Sequence, residues 1–185
     1  MKSYDIPLYP GNSLTIILYQ NVSNTDEIMS KLLKGELEYS IINCKAIFDH
    51  RQLLFAATKV LSIQHSSKLS THNVHSELIY LLSPTTNMKD SIKKFGLQAD
   101  DKQFYIAIFN STSEKLNDIK SLVKGDQVEE QYNEQSKTIE NTSYFSRDTA
   151  IENYSLKEYK DIAQCDDSKL KSYIFNSMSM KGLLK

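Results

Sequence analysis

Residues 73–88 read NVHSELIYLLSPTTNM, and the continuous apolar run LIYLL lies at the centre of this stretch. A short apolar run bounded by polar residues is typical of a central strand buried on both faces of a sheet. Pro84 would end such a strand, because proline has no backbone N–H for the ladder. We therefore predict a strand over 75–83, followed by a short helix that Asn87 caps.

Strand and helix patterns alternate on both sides of this stretch. Strand-like segments are 13–19, 39–42 and 104–109, and helix-like segments are 23–35, 49–65, 116–125 and 148–185. Such alternation favours a parallel, doubly wound sheet in one compact domain over residues 1–185. The polar residues 126–147 have no clear period, and we predict that they form a mobile loop.

Cap residues mark several of the helix ends. Asp49 with Gln52 is predicted to form a capping box at the start of the longest helix, and Asp167 is predicted to cap the last helix. Gly35 follows an apolar helical stripe and is predicted to mark the end of that helix, and Gly96 followed by Leu97 is predicted to end its helix as a Schellman motif.

The charges of this chain of 185 residues are unevenly distributed. Its formal net charge of −1 gives no overall attraction to nucleic acid. Residues 51–102 carry seven basic and four acidic side chains, whereas residues 126–167 carry eleven acidic and four basic ones. This asymmetry permits a small anion-binding face in the middle of the chain.

Targeting and redox signals favour a reducing intracellular compartment. The first residues lack the apolar stretch of a secretory signal, and no window approaches the roughly 18 apolar residues that span a bilayer. We expect a cytosolic or nuclear protein with no membrane partner. Cys44 and Cys165 are then free thiols, and the Asn-x-Ser/Thr triplets at Asn21, Asn110 and Asn141 are not glycan sites.

Patterns that carry catalysis are missing from the sequence. Its five glycines are isolated, so neither a phosphate loop nor a dinucleotide fingerprint is present. His72 and His75 would face opposite sides of an extended segment and could not grip one metal ion. Nothing near Cys44 indicates a lowered thiol pKa, and Glu77 is interpreted as one half of a structural ion pair. We expect no enzyme activity, no cofactor and no metal.

Residues 73–88, followed by KFGL at 94–97, resemble the signature of the kinase-binding subunit of the KEOPS (EKC) tRNA-modification complex. The similarity extends to YSIIN at 39–43, to LVKGDQV at 122–128 and to the closing helix at 170–178. One departure is His72, which stands where relatives have a basic residue and is mostly neutral at pH 7. The resemblance implies an α+β fold whose mixed, largely antiparallel sheet is flanked by helices and ends in a helical C-terminus.

The resemblance also implies a function. The chain would be a non-catalytic subunit that binds and stimulates a small atypical kinase. Through the kinase it would meet the threonylcarbamoyl-transferase subunit, which modifies the adenosine next to the tRNA anticodon. Family members are also described as binding the tRNA 3′ end and acting in telomere maintenance. The expected locations are the nucleus and cytoplasm, and the chromosome for a telomere role.

Candidate tRNA-binding residues come from the basic middle of the chain. Phosphate contacts need only positive charge at a suitable distance, so several side chains can share them. The candidates are Arg51, Lys59, Lys68, His72, Lys89, Lys93 and Lys94. The alternative is that these side chains are simply solvated.

Candidate kinase-binding residues come from the last helix. Its apolar positions form an arc wider than one core contact requires, and a terminal helix can dock such an arc in a partner's groove. The candidates are Leu170, Ile174, Phe175 and Met178. The alternative is that the whole arc packs on the protein's own sheet.

Two other function classes stay open at this point. One is a stand-alone nucleic-acid-binding module, which the net charge and the missing aromatic–basic pattern disfavour. The other is a small-molecule enzyme whose site is assembled by tertiary contacts.

Overall fold

The computed structural model describes residues 1–128, 131–133, 138–140, 144–159, 161–162 and 165–181. Its main sheet has the strand order β1-β2-β4-β3, and β5 pairs with β2 beyond the end of β1. These strands are β1 (Lys2–Asp5), β2 (Ser13–Gln20), β3 (Ser40–Asn43), β4 (Phe104–Phe109) and β5 (Asp126–Val128). Every pairing in this sheet is antiparallel. The α+β fold implied by the family resemblance is confirmed.

The parallel sheet predicted from the alternation of elements is wrong, and the strand order shows why. β2 and β3 do run in the same direction, because both are antiparallel to β4. They are not neighbours, however, since β4 lies between them. The strand–helix–strand pattern in the sequence indicates the connection between β2 and β3. It does not show that β4, which comes later in the chain, pairs between these two strands.

Helices cover both faces of the sheet. The helices are α1 (Thr25–Leu33), α2 (His50–Ser66), α3 (Val74–Leu82), α4 (Met88–Phe95), α5 (Ser113–Leu122), α6 (Arg147–Asn153) and α7 (Asp167–Ser179). Side chains of β4 alternate between two buried clusters, as the period of two for a strand requires. One cluster lies under α1 and α5, and the larger one lies under the other five helices.

Residues 74–82 form helix α3, so the strand predicted over 75–83 is wrong. The Asn73 side chain caps this helix by accepting hydrogen bonds from the backbone N–H groups of His75 and Ser76, at 3.0 and 2.9 Å. The helix contacts α2, α4 and β3, and most of its circumference is buried. A helix buried on all sides shows the same unbroken apolar run as a buried strand, so periodicity cannot separate the two.

Both predicted N-caps are aspartates in the structure, but the hydrogen bonds or the capping position differ from the prediction by one residue. Asp49 caps α2, yet the Gln52 side chain accepts from the backbone N–H of Phe48 at 2.8 Å, so the reciprocal bond forms one residue earlier than in a capping box. Asp166, and not Asp167, caps α7. Asp167 lies in the first turn of that helix.

The two predicted glycine ends differ. Gly35 has φ +73°, and the N–H groups of Gly35 and Glu36 donate to carbonyls in the last turn of α1, so the predicted helix end is confirmed and takes the form of a Schellman motif. Gly96 is extended, with φ −80° and ψ 172°, so that prediction is wrong. The reason is tertiary: Gly96 leaves α4 to form an isolated bridge with Ile42 of β3.

Residues 126–147 contain more regular structure than the sequence predicts. β5 pairs with β2, and the short strands β6 (Gln131–Asn133) and β7 (Thr138–Glu140) form a separate two-stranded sheet. Residues 144–146 lead into α6, and residues 129–130, 134–137 and 141–143 of the predicted loop lie outside the described residues. Strand β1 has no counterpart among the predicted elements, because it is short and mostly exposed.

Candidate interaction surface

Helix α7 lies alongside α2, and the two helices run in the same general direction. Near their starts, the Lys171 ammonium donates to the Asp49 carboxylate. In the middle, the rings of Phe55 and Phe175 meet edge to face with centroids 5.4 Å apart. Near the end of α7, the Lys59 ammonium donates to the backbone carbonyl of Met178 at 2.5 Å. These contacts fix the last helix against the longest one.

Three of the four predicted kinase-binding residues are in the wrong place for a partner. Leu170, Ile174 and Met178 are each 0% exposed and belong to the large core cluster. They project from one side of α7 at helical spacing, and that side faces the protein's own interior. Phe175 is half-buried and does reach the surface. The apolar arc of α7 that was predicted to contact a partner therefore packs mainly in the protein's own core.

A row of basic and aromatic side chains lines the outer side of the α2–α7 pair. We call it the α2–α7 surface and define it as Arg51, Phe55, Lys59, Lys171 and Phe175. All five side chains are partly exposed. Large aromatic side chains flanked by basic groups, held on packed helices, are frequent anchors of protein interfaces.

Asp49 holds one end of this surface in place. Its carboxylate is almost fully buried and accepts from Arg51 at 2.7 Å as well as from Lys171. Burial pushes the pKa of Asp49 upward, but the hydrogen bonds and charges of Arg51 and Lys171 outweigh it and hold that pKa below its usual value. The carboxylate is therefore ionised at neutral pH and ties both helices together.

Lysines hold the other end. Burial lowers the pKa of Lys59 from its usual value, while its ammonium caps the last carbonyls of α7. Just beyond α7, the Lys181 ammonium lies 3.2 Å from the centroid of the Tyr80 ring on α3 and also donates to the Tyr80 carbonyl. Cations at a helix C-terminus stabilise the helix dipole.

The predicted tRNA-binding residues separate into two groups. Four are exposed: Lys68 and His72 lie in the loop between α2 and α3, and Lys89 and Lys93 lie one turn apart on α4. The other three are engaged within the fold: Arg51 with Asp49, Lys59 with the end of α7, and Lys94 with the carbonyl of Asn153 at 3.4 Å. Arg51 and Lys59 thus belong to the α2–α7 surface, on the same helix as Phe55, and not to the exposed group.

Sequence reasoning missed Phe55 and Lys171, although a signal was present. Arg51, Phe55 and Lys59 are spaced four residues apart, and so are Lys171 and Phe175. Side chains at this spacing share one face of a helix. A search for mixed aromatic and basic stripes, rather than for apolar stripes alone, would have found the surface.

The buried carboxylate of Glu77 positions the loop that carries Lys68 and His72. Glu77 was predicted to form an ion pair, but it accepts a hydrogen bond from the backbone N–H of Thr71 at 2.8 Å. The prediction failed because Glu77 lies in the first turn of a helix, where its side chain reaches back to the preceding loop.

The histidines and the cysteine that were weighed for metal binding or nucleophilic catalysis differ in burial. His72 is exposed, whereas burial, with a contribution from Lys115, lowers the pKa of His75 to about 4. Burial, reinforced by Asp101, raises the pKa of the Cys44 thiol to about 12, so the thiol is protonated. Across the described ranges, no three His, Cys, Asp or Glu side chains are grouped to hold a metal, and no helix is long and apolar enough to cross a membrane.

Comparison with known proteins gives one consistent family. The family model described as "Kinase binding protein CGI-121" matches residues 19–182. The chain is 32% identical over 127 residues to the EKC/KEOPS complex subunit TPRKB of Danio rerio, covering 68% of this chain and 73% of the relative. It is 30% identical over 190 residues to the EKC/KEOPS complex subunit CGI121 of Eremothecium gossypii, covering 99% and 100% respectively. The chain therefore belongs to the CGI-121 family of kinase-binding proteins.

Proposed function

We propose that this chain is a non-catalytic subunit of an EKC/KEOPS complex that binds the complex's small atypical kinase through the α2–α7 surface and stimulates it. The observation that carries the proposal is the edge-to-face pair of Phe55 and Phe175, half-exposed on two helices that are locked together at both ends. Family membership supplies the class of partner.

The architecture suits an adaptor that presents a rigid face. The buried side of α7 fixes the helix, so Phe175 can be presented without a large loss of conformational freedom on binding. Arg51, Lys59 and Lys171 surround the aromatic pair and would favour a partner groove with acidic rims. A binding partner shifts a conformational equilibrium only if it binds one conformation more tightly than the other. The chain would therefore stimulate the kinase if the α2–α7 surface fits the active conformation of the kinase better than the inactive one.

The test is the affinity of the purified kinase for the variant Phe175→Glu, measured by titration calorimetry. A charge placed in a desolvated interface should weaken binding by at least about tenfold, which corresponds to roughly 1.4 kcal/mol. The matched control is Leu33→Glu, because Leu33 is 81% exposed on α1, across the sheet from the α2–α7 surface. Unchanged kinase affinity in a folded Phe175→Glu protein would rule out this surface. If Phe175→Glu fails to fold, Phe175→Ala serves instead.

We also propose that the chain helps recruit the tRNA 3′ end for threonylcarbamoylation of the adenosine next to the anticodon. Lys68, His72, Lys89 and Lys93 support this proposal because they are exposed and basic, or can become basic, within a chain of nearly neutral net charge.

The remaining parts of the proposal rest on the family alone. They are indirect contact with the threonylcarbamoyl-transferase subunit, a role linked to telomere maintenance, and residence in the nucleus and cytoplasm, with the chromosome as a further location.

A further inference from the structure

Two loops flank helix α3 and place the exposed basic side chains that are proposed to contact tRNA. The loop at 67–73 carries Lys68 and His72. The loop at 83–87 leads into α4, which carries the other two proposed contacts. The relative position of these basic side chains therefore depends on what holds the two loops.

Tyr80 of α3 reaches both loops. Burial, with the charge of Glu77, raises the pKa of Tyr80, and a side-chain hydrogen bond with Ser70 of the first loop partly offsets this rise. The Tyr80 hydroxyl also donates to the backbone carbonyl of Thr86 in the second loop, at 3.5 Å. One aromatic side chain thus joins the two loops through the polar end of its ring.

Glu77, one turn earlier on α3, holds the first loop. One of its carboxylate oxygens accepts from the backbone N–H of Thr71 at 2.8 Å. The side chain is fully buried, and its other oxygen, Oε1, has no hydrogen-bond partner within the part of the chain that the structure describes. A buried carboxylate needs a nearby opposite charge or further hydrogen bonds to compensate for its lost hydration.

Lys181, just beyond α7, supplies a positive charge at this place. Its ammonium lies 3.2 Å from the centroid of the Tyr80 ring and donates to the Tyr80 carbonyl. Burial lowers the pKa of Lys181 to about 7; the charge of Glu77 counteracts this shift, and the charge of Lys59 on α2 reinforces it. The ammonium therefore contacts one of the α3 side chains that hold the loops and is an electrostatic neighbour of the other.

We propose that Lys181 is a positioning residue, whose ammonium holds the Tyr80 ring, balances the Glu77 carboxylate and so aligns the two loops that present basic side chains to tRNA. The functional part of this inference rests on the proposed recruitment of tRNA. Lys181 would act without touching the RNA, because Tyr80 already engages its ammonium on α3.

The first test measures amide hydrogen exchange by NMR in the absence of tRNA, at about pH 6, where Lys181 is mostly charged. In Lys181→Met the Thr71 amide should exchange at least about tenfold faster, because Glu77 loses the charge that balances it. The matched control is Lys169→Met, which makes the same change at an exposed residue of α7 and should leave Thr71 exchange within about twofold. Unchanged Thr71 exchange in a folded Lys181→Met protein would overturn the proposal. If Lys181→Met fails to fold, Lys181→Gln takes its place.

The second test measures tRNA affinity by filter binding across a salt series at the same pH. Lys181→Met should bind tRNA at least about fivefold more weakly with an unchanged slope of affinity against salt, because no phosphate contact is lost. Lys181→Arg keeps a cation for the Tyr80 ring and should retain most of the affinity.

Two results of the second test would contradict the proposal. A slope reduced by about one unit in Lys181→Met would mean that Lys181 contacts a phosphate directly. An equal loss of affinity in Lys181→Arg would mean that the charge of this side chain does not align the loops. If the unaltered protein binds no tRNA, the recruitment proposal fails, whereas Thr71 exchange still decides whether Lys181 holds the first loop.

Discussion

At the scale of single residues, Asp49 joins structure to the proposed function. Its buried carboxylate caps α2 and forms ion pairs with Arg51 of α2 and with Lys171 of α7. Breaking a buried ion pair by removing one partner is costly, because the other charge stays partly desolvated. The same residue therefore stabilises the fold and sets the position of two side chains of the α2–α7 surface.

Asp49→Asn should lower the free energy of unfolding by about 3 kcal/mol at pH 7, measured by urea denaturation. The folded-state pKa of Asp49 lies below its unfolded value, so its contribution is fully present above the unfolded pKa and disappears as pH falls through the folded pKa. The difference in free energy of unfolding between Asp49→Asn and the unaltered protein should thus become smaller below about pH 4. The control is Asp167→Asn, because Asp167 is exposed and pairs with Arg147 at the surface. This control should lower the free energy of unfolding by less than about 1 kcal/mol. Equal costs for the two variants would contradict this account.

At the scale of elements, α7 has two sides with different roles. Leu170, Ile174 and Met178 belong to the core, and Phe175 belongs to the surface. Adjacent residues on a helix differ by about 100° in direction, so Ile174 and Phe175 can serve different roles although they are neighbours in sequence.

Ile174→Ala should lower the free energy of unfolding by about 2–5 kcal/mol, because it leaves a cavity in a closed core. Phe175→Ala should cost about 1 kcal/mol, mainly from the lost ring contact with Phe55. Urea denaturation of the two variants checks the difference. Similar losses for both would mean that Phe175 is a core residue and is unavailable to a partner.

Elements also show what the sequence could and could not predict. The end of α1 at Gly35 was predictable, because a local hydrogen-bond pattern and a positive φ determine it. The extended conformation of Gly96 was not, since a bridge to Ile42 more than fifty residues away determines it. Helix α3 was mistaken for a strand because most of its circumference is buried, which hides the helical period of its apolar residues. The surface on α2 was detectable from its spacing, but its pairing with α7 required the tertiary structure.

At the scale of the whole molecule, the sheet separates two surfaces of different charge. The α2–α7 surface carries three basic side chains, whereas an open cleft between α1 and α5, on the other side of the sheet, is lined by five acidic and two basic side chains and is therefore acidic. Nucleic acid is expected to avoid the acidic cleft and to contact the exposed lysines near α3 and α4.

The triple variant Lys68→Glu, Lys89→Glu and Lys93→Glu should weaken tRNA binding and reduce the slope of affinity against salt by about one unit for each lost phosphate contact. Filter binding across a salt series measures both quantities. The matched control is Lys34→Glu, Lys102→Glu and Lys120→Glu, which changes net charge equally at exposed lysines outside α2, α3, α4 and the loops joining them. If both variants lose affinity alike, net charge alone and not this patch governs tRNA binding.

Site-specific photo-crosslinking decides whether the kinase contacts the α2–α7 surface. A benzophenone amino acid replaces Phe175 in one variant and Leu33 in the other, and each variant is irradiated in complex with the kinase. The account predicts a covalent adduct with the kinase from position 175 and none from position 33, which lies across the sheet. An adduct from position 33 with none from position 175, in complexes of equal occupancy, would contradict it.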